Sequence, residues 1–193
     1  MKTSIFFILI VFVLPAKAQL YKSKEGSVSF FSKAPIENIE AVSKQITSII
    51  NTATNEIAFI VEIKTLQFRL EKMRDDFNED FMESDKYPHA TYDGKIKRKI
   101  NWKNDGTYTV IAKGYLTIHG VEKERRDTAT ITIRNGEITL QSNFFVRVAD
   151  YEIRIPRLLF QNIAEVVAVK LVVTYIPYKE EESRAQVDNN SGK

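Results

Sequence analysis

Histidine side chains are the first candidates for chemistry in this chain, because a histidine can act as an acid–base catalyst or a metal ligand near neutral pH. There are two, His89 and His119. Neither has an acidic or second histidine partner at metal-ligand spacing. His119 stands before Gly120, at the end of an alternating apolar segment. We therefore predict no metal site, and expect His119 to be a strand-end residue that hydrogen-bonds the turn.

An aspartate and a tyrosine, Asp150 and Tyr151, stand side by side at the end of another predicted strand. Such a pair can do acid–base work when buried, but it more commonly caps a loop by hydrogen bonding to backbone amides. With His119 these residues are the polar cluster on which a cofactor-independent enzyme would depend. That hypothesis requires all three to meet in one pocket. We predict no catalytic residue and no cofactor.

Two further classes of site are disfavoured by residue type. The chain contains no cysteine, which excludes thiolate ligands and cysteine nucleophiles. The carboxylates of Asp-Asp-Phe-Asn-Glu-Asp, residues 75–80, lack the turn-forming glycine of a calcium loop and have helical spacing. They are typical of a solvated helix face.

The first 18 residues predict a secretory signal peptide. Lys2 precedes an apolar run, Ile5 to Leu14, and Ala16-Lys17-Ala18 has the small-x-small pattern of a cleavage site. The run is shorter than the about 20 residues of a membrane span. We predict cleavage after Ala18, a periplasmic or secreted mature chain, and no transmembrane span in it.

The charge of the chain does not favour nucleic acid as a partner. Removal of the leader lowers the formal net charge from +3 to +1 because it takes Lys2 and Lys17. Residues 178–193 are charged and poor in apolar side chains, so we predict a disordered tail. The one folded domain is then expected at residues 19–177.

Apolar residues alternate with period two through most of this domain, which is typical of β-strands with two different faces. Asn135-Gly136 predicts a tight hairpin, and Asn104-Asp105-Gly106 a longer one. The segment from Pro35 to Ala41 is expected to form a short helical turn, followed by a strand that pairs back onto the next one. Strands are predicted at the following positions: from Ser27, in the forties, Glu56–Lys64, Thr91–Asn101, Thr107–Ile118, Asp127–Arg134, Glu137–Val148 and Val166–Ile176.

One helix interrupts the strands. Leu70, Met73, Phe77 and Phe81 form an apolar stripe along a predicted helix from Leu70 to Ser84. About eight antiparallel strands and one inserted amphipathic helix indicate an all-β fold, either a barrel or a sandwich. Small residues on the apolar faces favour a barrel with an unfilled interior; they are Gly94, Ala112, Gly114 and Ser142.

Four segments resemble the YceI-like family of extracytoplasmic, lipocalin-like barrels associated with polyisoprenoid binding. They are VSFFSKAPIENIEA, DFNEDFMESDKYPHATYDGKI, GYLTIHGVEK and FFVRVADYEIRIP. The resemblance covers about residues 20–177. It implies a lipocalin-like barrel that binds or carries an isoprenoid or a similar amphiphilic lipid, and it brings no catalytic constellation.

An eight-stranded barrel is about the size at which side chains fill the interior or leave room for one small ligand. Both outcomes stay open from the sequence. The helix is a lid if the barrel opens and a plug if it does not, with Met73, Phe77 and Phe81 packed across one end. The inward residues that would contact a lipid are Phe30, Phe59, Val61, Ile63, Tyr92, Ile96, Tyr108, Val110, Leu116, Ile118, Phe144 and Val146.

The basic segment 95–103 holds a candidate for a lipid head group. Lys95, Lys97 and Lys99 share one face and are expected on the outer wall. Period two places Arg98 on the inward face, where it needs a carboxylate or a head-group phosphate as partner, unless a bulge turns it outward.

A third hypothesis is a solid barrel that binds a protein through its outer face, with Ile111, Tyr115 and Phe145 as the apolar patch. The sequence leaves the identity of the lipid and the oligomeric state open, with a homodimer among the options.

Overall fold

The computed structural model describes residues 20–33, 38–155 and 164–178. The predicted leader, most of the predicted tail and residues 34–37 lie outside this range. Ten strands are found in the described part: β1 (Leu20–Ser32), β2 (Ile39–Ser43), β3 (Ile46–Asn51), β4 (Glu56–Glu62), β5 (Gln67–Phe68), β6 (His89–Ile96), β7 (Gly106–Ile118), β8 (Val121–Arg134), β9 (Glu137–Arg147) and β10 (Val166–Pro177).

The strands form a closed antiparallel barrel of eight, which confirms the predicted fold class. Its order around the wall is β1, β3, β4, β6, β7, β8, β9 and β10, and β10 pairs with β1 to close it. The short strand β2 continues the line of β3 beside β1 and also pairs with β5. The barrel therefore leaves no free edge among these eight strands.

Tight turns set the register of the long strands. His119 and Gly120 connect β7 to β8, and Asn135 and Gly136 connect β8 to β9, with positive φ at all four residues. Two central residues with positive φ are typical of the hairpin turn whose twist matches that of the strands. The predicted hairpin at Asn135 is thus present, and His119 lies within a second one.

A filled core occupies the end of the barrel at the β6–β7 loop. Buried branched side chains from every wall strand meet there, among them Ile50, Ile131 and Ile133. The buried Tyr175 hydroxyl and the Ser48 hydroxyl are 2.7 Å apart, and Ser48 donates to the Ala58 carbonyl. Because its polar groups are satisfied, this end is closed by a stable core.

The helical lid region differs from its prediction. The α-helix α1 covers Glu71–Asp76 and continues as one π-helical turn, Phe77–Phe81, so the element is shorter and less regular than predicted. The expected helical turn at residues 35–41 is wrong in its described part, because Ile39–Ser43 is a strand. The strand expected to follow it, β3, is present and pairs with β4.

Two strand boundaries matter for the site. Strand β6 ends at Ile96 and not at Asn101, so the alternation does not continue through Arg98. Strand β8 begins at Val121, six residues before the predicted start, because pairing with β7 extends through a run of charged residues.

Candidate functional site

The half of the barrel nearer the lid contains a cavity of about 230 Å³. Its walls come from the inner faces of the strands and its roof from the lid region. Almost every lining side chain is apolar, so the interior suits a hydrocarbon group. The lining residues that sequence reasoning did not select are Val28, Ile46, Ile57, Leu66, Met82, Ala90, Thr91, Asp127, Ala129, Leu140, Val148, Ile153, Val167, Val169 and Leu171.

Most of the predicted inward residues line this cavity. They are Phe30, Phe59, Val61, Ile63, Tyr92, Leu116, Ile118, Phe144 and Val146. The other three, Ile96, Tyr108 and Val110, belong to the filled core at the closed end. The alternation placed them on the correct face, but their height in the barrel depends on the register between strands. Ala112 and Ser142, selected as small residues, do leave space in the wall.

A second cavity of about 450 Å³ lies above the first, beneath and beside α1. The two share Phe30, Phe77 and Met82 in their linings. Phe77 stacks on Phe30 with ring centroids 5.4 Å apart and lies 4.9 Å from the Phe68 ring. Of the predicted lid residues, Phe77 therefore lies between the cavities, while Met73 and Phe81 line the outer one alone.

An ion pair faces the interior from β8, in the stretch that the prediction omitted. Both carboxylate oxygens of Asp127 accept from Arg125: Nε donates at 2.8 Å and Nη2 at 2.7 Å. Each side chain is 19% exposed. The guanidinium also donates to the Phe145 carbonyl and lies over the Phe144 ring. Counting back by twos from Ile131 through Ala129 would have placed Asp127 and Arg125 on the inner face.

Two tyrosine hydroxyls near this pair are buried: that of Tyr92 has no hydrogen-bond partner in the described residues, and that of Tyr151 lies beside the Arg125 guanidinium. Burial, followed by the negative charge of Asp127, raises the pKa of Tyr92 to about 12. Burial also raises the pKa of Tyr151, although the neighbouring Arg125 acts in the opposite direction. Both hydroxyls therefore stay protonated near neutral pH and can donate.

The prediction that Arg98 faces inward is wrong. Arg98 is exposed beyond the end of β6, donates from Nη1 to the Thr109 carbonyl at 2.6 Å, and lies over the Tyr108 ring. It lines neither cavity. The alternation that placed it inward ends with the strand. Lys95, Lys97 and Lys99 are exposed, as expected for the outer wall.

His119 connects the β7–β8 turn to two other segments. One ring nitrogen, Nε2, is 2.9 Å from a Glu83 carboxylate oxygen, and Nδ1 is 3.3 Å from the Tyr151 carbonyl oxygen. Its ring packs against Tyr87, with centroids 4.4 Å apart. His119 is thus a structural residue of the turn, although its partners lie outside that turn.

The three residues of the enzyme hypothesis do not share a pocket. Asp150 is exposed and Tyr151 is buried. Neither they nor His119 line the inner cavity. The enzyme hypothesis required these residues to lie together in one pocket inside the barrel, and they do not. Within the described ranges, no three His, Asp or Glu side chains gather as a metal site.

The apolar residues of the proposed outer patch are exposed, with Ile111 at 51%, Tyr115 at 50% and Phe145 at 68%. Ile111 and Tyr115 lie on β7, but β8 separates them from Phe145 on β9. The three residues therefore do not form the single patch that was predicted.

Across residues 20–33, 38–155 and 164–178, no helix has the length and apolar character of a membrane span.

The sequence model of the YceI-like domain matches residues 21–175. Curated protein sequences gave no match. Solved structures share the fold at low sequence identity. The chain is similar to a polyisoprenoid binding domain from Saccharophagus degradans implicated in plant cell wall breakdown, with a TM-score of 0.70, 15% identity, and coverage of 82% of this chain and 98% of that one.

Two further structures are similar. One is BcnA from Burkholderia cenocepacia, with a TM-score of 0.64, 17% identity, and coverage of 77% of this chain and 95% of that one. The other is the YceI protein of Campylobacter jejuni, with a TM-score of 0.55, 18% identity, and coverage of 75% and 88%.

Proposed function

We propose, on the premise that this chain belongs to the YceI-like family, that it binds an isoprenoid or a similar amphiphilic lipid inside the barrel. The observation that carries the proposal is the apolar cavity of about 230 Å³ between the filled core and the lid. The shared fold of a polyisoprenoid binding domain supports it.

The energy of burial is sufficient for such a ligand. Each buried methylene contributes about 0.8 kcal/mol, so a five-carbon isoprene unit contributes on the order of 3 kcal/mol before ordering costs. Roughly three units then reach the about 8 kcal/mol of micromolar binding. The lining aromatics Phe30, Phe59 and Phe144 provide flat apolar surfaces for the chain.

Phe77 is proposed as the gate of the lid. It lies between the inner and outer cavities, and its ring is held by two aromatic contacts. A lipid entering from the outer cavity would have to displace this ring. Met73 and Phe81 would contact the part of the ligand that extends outward.

The protein is further proposed to act by binding and not by catalysis, in the periplasm or outside the cell. His119, Asp150 and Tyr151 do not line the inner cavity, which supports the first statement, and the leader-like sequence of residues 1–18 supports the second. Cell fractionation with intact mass measurement tests the location. An uncleaved protein in the cytoplasm would contradict it.

The direct test of binding is native mass spectrometry of protein purified from its own host, followed by lipid extraction. We expect one lipid molecule per chain, released by organic solvent. Protein that carries no lipid and binds no added isoprenoid would refute the proposed function.

A further inference from the structure

The inward ion pair of Arg125 and Asp127 lies beyond the last paired residues of β8 and β9, where Arg125 donates to the Phe145 carbonyl. Both residues lie in a part of β8 whose inner neighbours are apolar, and taking two charges out of water is costly unless each is well satisfied. The two hydrogen bonds between Arg125 and Asp127, together with the one from Arg125 to the Phe145 carbonyl, satisfy the polar groups of the pair. A pair of apolar side chains would fill the same space without this cost.

Of the pair, Asp127 lines the wall of the inner cavity. Asp127 is opposite Ala112 on β7, and Ala112 is opposite Ile96 on β6. Ile96 belongs to the filled core, while Asp127 and Ala112 line the cavity. Asp127 therefore lies one inward position along β8 from Ala129, which both lines the cavity and belongs to the core.

Tyr92 supplies a hydrogen-bond donor to the same cavity. Its ring lies over Gly94, where an added Cβ would be 2.5 Å from the hydroxyl oxygen, so glycine at this position makes room for the ring. Gly94 is opposite Gly114, which in turn is opposite Arg125. The hydroxyl is buried and unpartnered, and it experiences the charge of Asp127.

We propose that Tyr92 and Asp127 form a subsite for the hydroxyl head group of the bound lipid, which enters head first and leaves its tail toward the lid. An alcohol both donates and accepts, so it would donate to a remaining lone pair of Asp127 and accept from the Tyr92 hydroxyl. Arg125 is a positioning residue that holds the carboxylate. The inference rests on the proposed function.

The charge of the site favours an uncharged head group over a phosphate. The Arg125 charge is already neutralised by Asp127, and the carboxylate itself would repel an anion. A phosphate would also lose its hydration in an apolar cavity without a free cation on its lining. We therefore expect an isoprenoid alcohol to bind more tightly than its phosphate ester.

The test compares three probes of equal chain length: farnesol, farnesyl phosphate and the hydrocarbon farnesane. Their affinities are measured for wild type, Tyr92→Phe and Tyr108→Phe. Tyr108→Phe is the matched control, because it removes a hydroxyl from the closed end that lines neither cavity. Tyr92→Phe is expected to weaken farnesol binding about three- to tenfold and to leave farnesane unchanged.

A second variant tests the charge. Asp127→Asn leaves the Arg125 charge unneutralised, so the affinity ratio of farnesyl phosphate to farnesol should rise about tenfold or more. Circular dichroism melting confirms that each variant is folded. If wild type binds none of the three probes, the proposed function and this subsite both fail. If wild type binds but Tyr92→Phe affects farnesol and farnesane equally, or wild type prefers the phosphate, the subsite alone is overturned.

Discussion

His119 holds together three segments at the mouth of the barrel. Its ring contacts Glu83 after the lid region, the Tyr151 backbone and the Tyr87 ring. A residue with φ of 52° in a tight turn also tolerates few replacements. His119 therefore stabilises the folded protein.

Replacement of His119 by alanine should lower the free energy of unfolding by about 1–3 kcal/mol, because its polar contacts with Glu83 and the Tyr151 carbonyl and its ring contact with Tyr87 are lost. Binding of farnesol should change less than about twofold, because His119 does not line the cavity. Chemical denaturation and a binding titration check both effects. The exposed His89→Ala is the matched control and should stay within about 0.5 kcal/mol of wild type. A selective loss of binding in His119→Ala would contradict this assignment.

Tyr92 makes the stability depend on pH in the alkaline range. Its pKa is about 12 in the folded protein, against the ordinary value of 10.0, so the unfolded chain loses this proton first as the pH rises. The unfolded state then binds fewer protons than the folded state, and stability falls between pH 10 and about 12. Below pH 10 this contribution is constant.

The measurement is the unfolding free energy of wild type and Tyr92→Phe across that range, together with the phenolate absorbance of the folded proteins. Tyr92→Phe should lose the absorbance step near pH 12 and show a shallower decline in stability. Identical slopes for the two proteins would show that the hydroxyl is not buried as described.

At the scale of elements, the lid region depends on one aromatic ring more than on its helix. The α-helix has only the residues Glu71–Asp76, none of them buried, and such a short helix is marginal by itself. Its exposed ion pairs, including Lys72 with Asp76, add little. The packing of Phe77 against Phe30 and Phe68 is what attaches the region to the barrel.

Replacement of Phe77 by alanine should therefore speed both entry and release of a fluorescent isoprenoid analogue, by about two- to tenfold, if an aromatic contact of about 0.5–1.5 kcal/mol is lost from the closed state. Stopped-flow fluorescence measures both rates. Glu79→Ala is the control on the same element, because Glu79 is exposed and lines neither cavity. Equal rates in Phe77→Ala and wild type would exclude Phe77 as the gate.

At the scale of the whole molecule, the barrel divides into a filled half that provides stability and a hollow half that is proposed to bind. Ala112 and Val110 are neighbours in phase on the same strand, yet Ala112 lines the cavity and Val110 is 2% exposed in the core. The same enlargement should consequently have opposite effects at these two positions.

Ala112→Leu should reduce farnesol binding by at least about tenfold without a loss of stability, because the added atoms occupy the cavity. Val110→Leu should cost about 1–3 kcal/mol by overpacking and leave binding nearly unchanged. Thermal melts and binding titrations of both variants check this division. Loss of binding in both, or in neither, would mean that the two halves are not separate.

The fold class could be predicted from the sequence because the alternation of apolar and polar residues within each strand shows which of its faces is buried. Period-two alternation, Asn135-Gly136 and the helical stripe are local patterns, and they indicated about eight antiparallel strands, in a barrel or a sandwich, with a helix around Phe77. Local patterns fail where local chemistry conflicts with tertiary pairing. Because residues 122–127 are charged, the predicted start of β8 was too late. The apolar residues around Arg98 made the predicted end of β6 too late.

Residue type and spacing thus indicated which side chains point inward, and Phe59, Leu116 and Phe144 are examples that line the cavity. The tertiary structure decided how high each inward residue lies, since the register between strands sets which of them meet at one level. That register separates Val110 in the core from Ala112 in the cavity. Pairing with β7 also extends β8 through Asp127 and Arg125, which the charges of these residues alone would not predict.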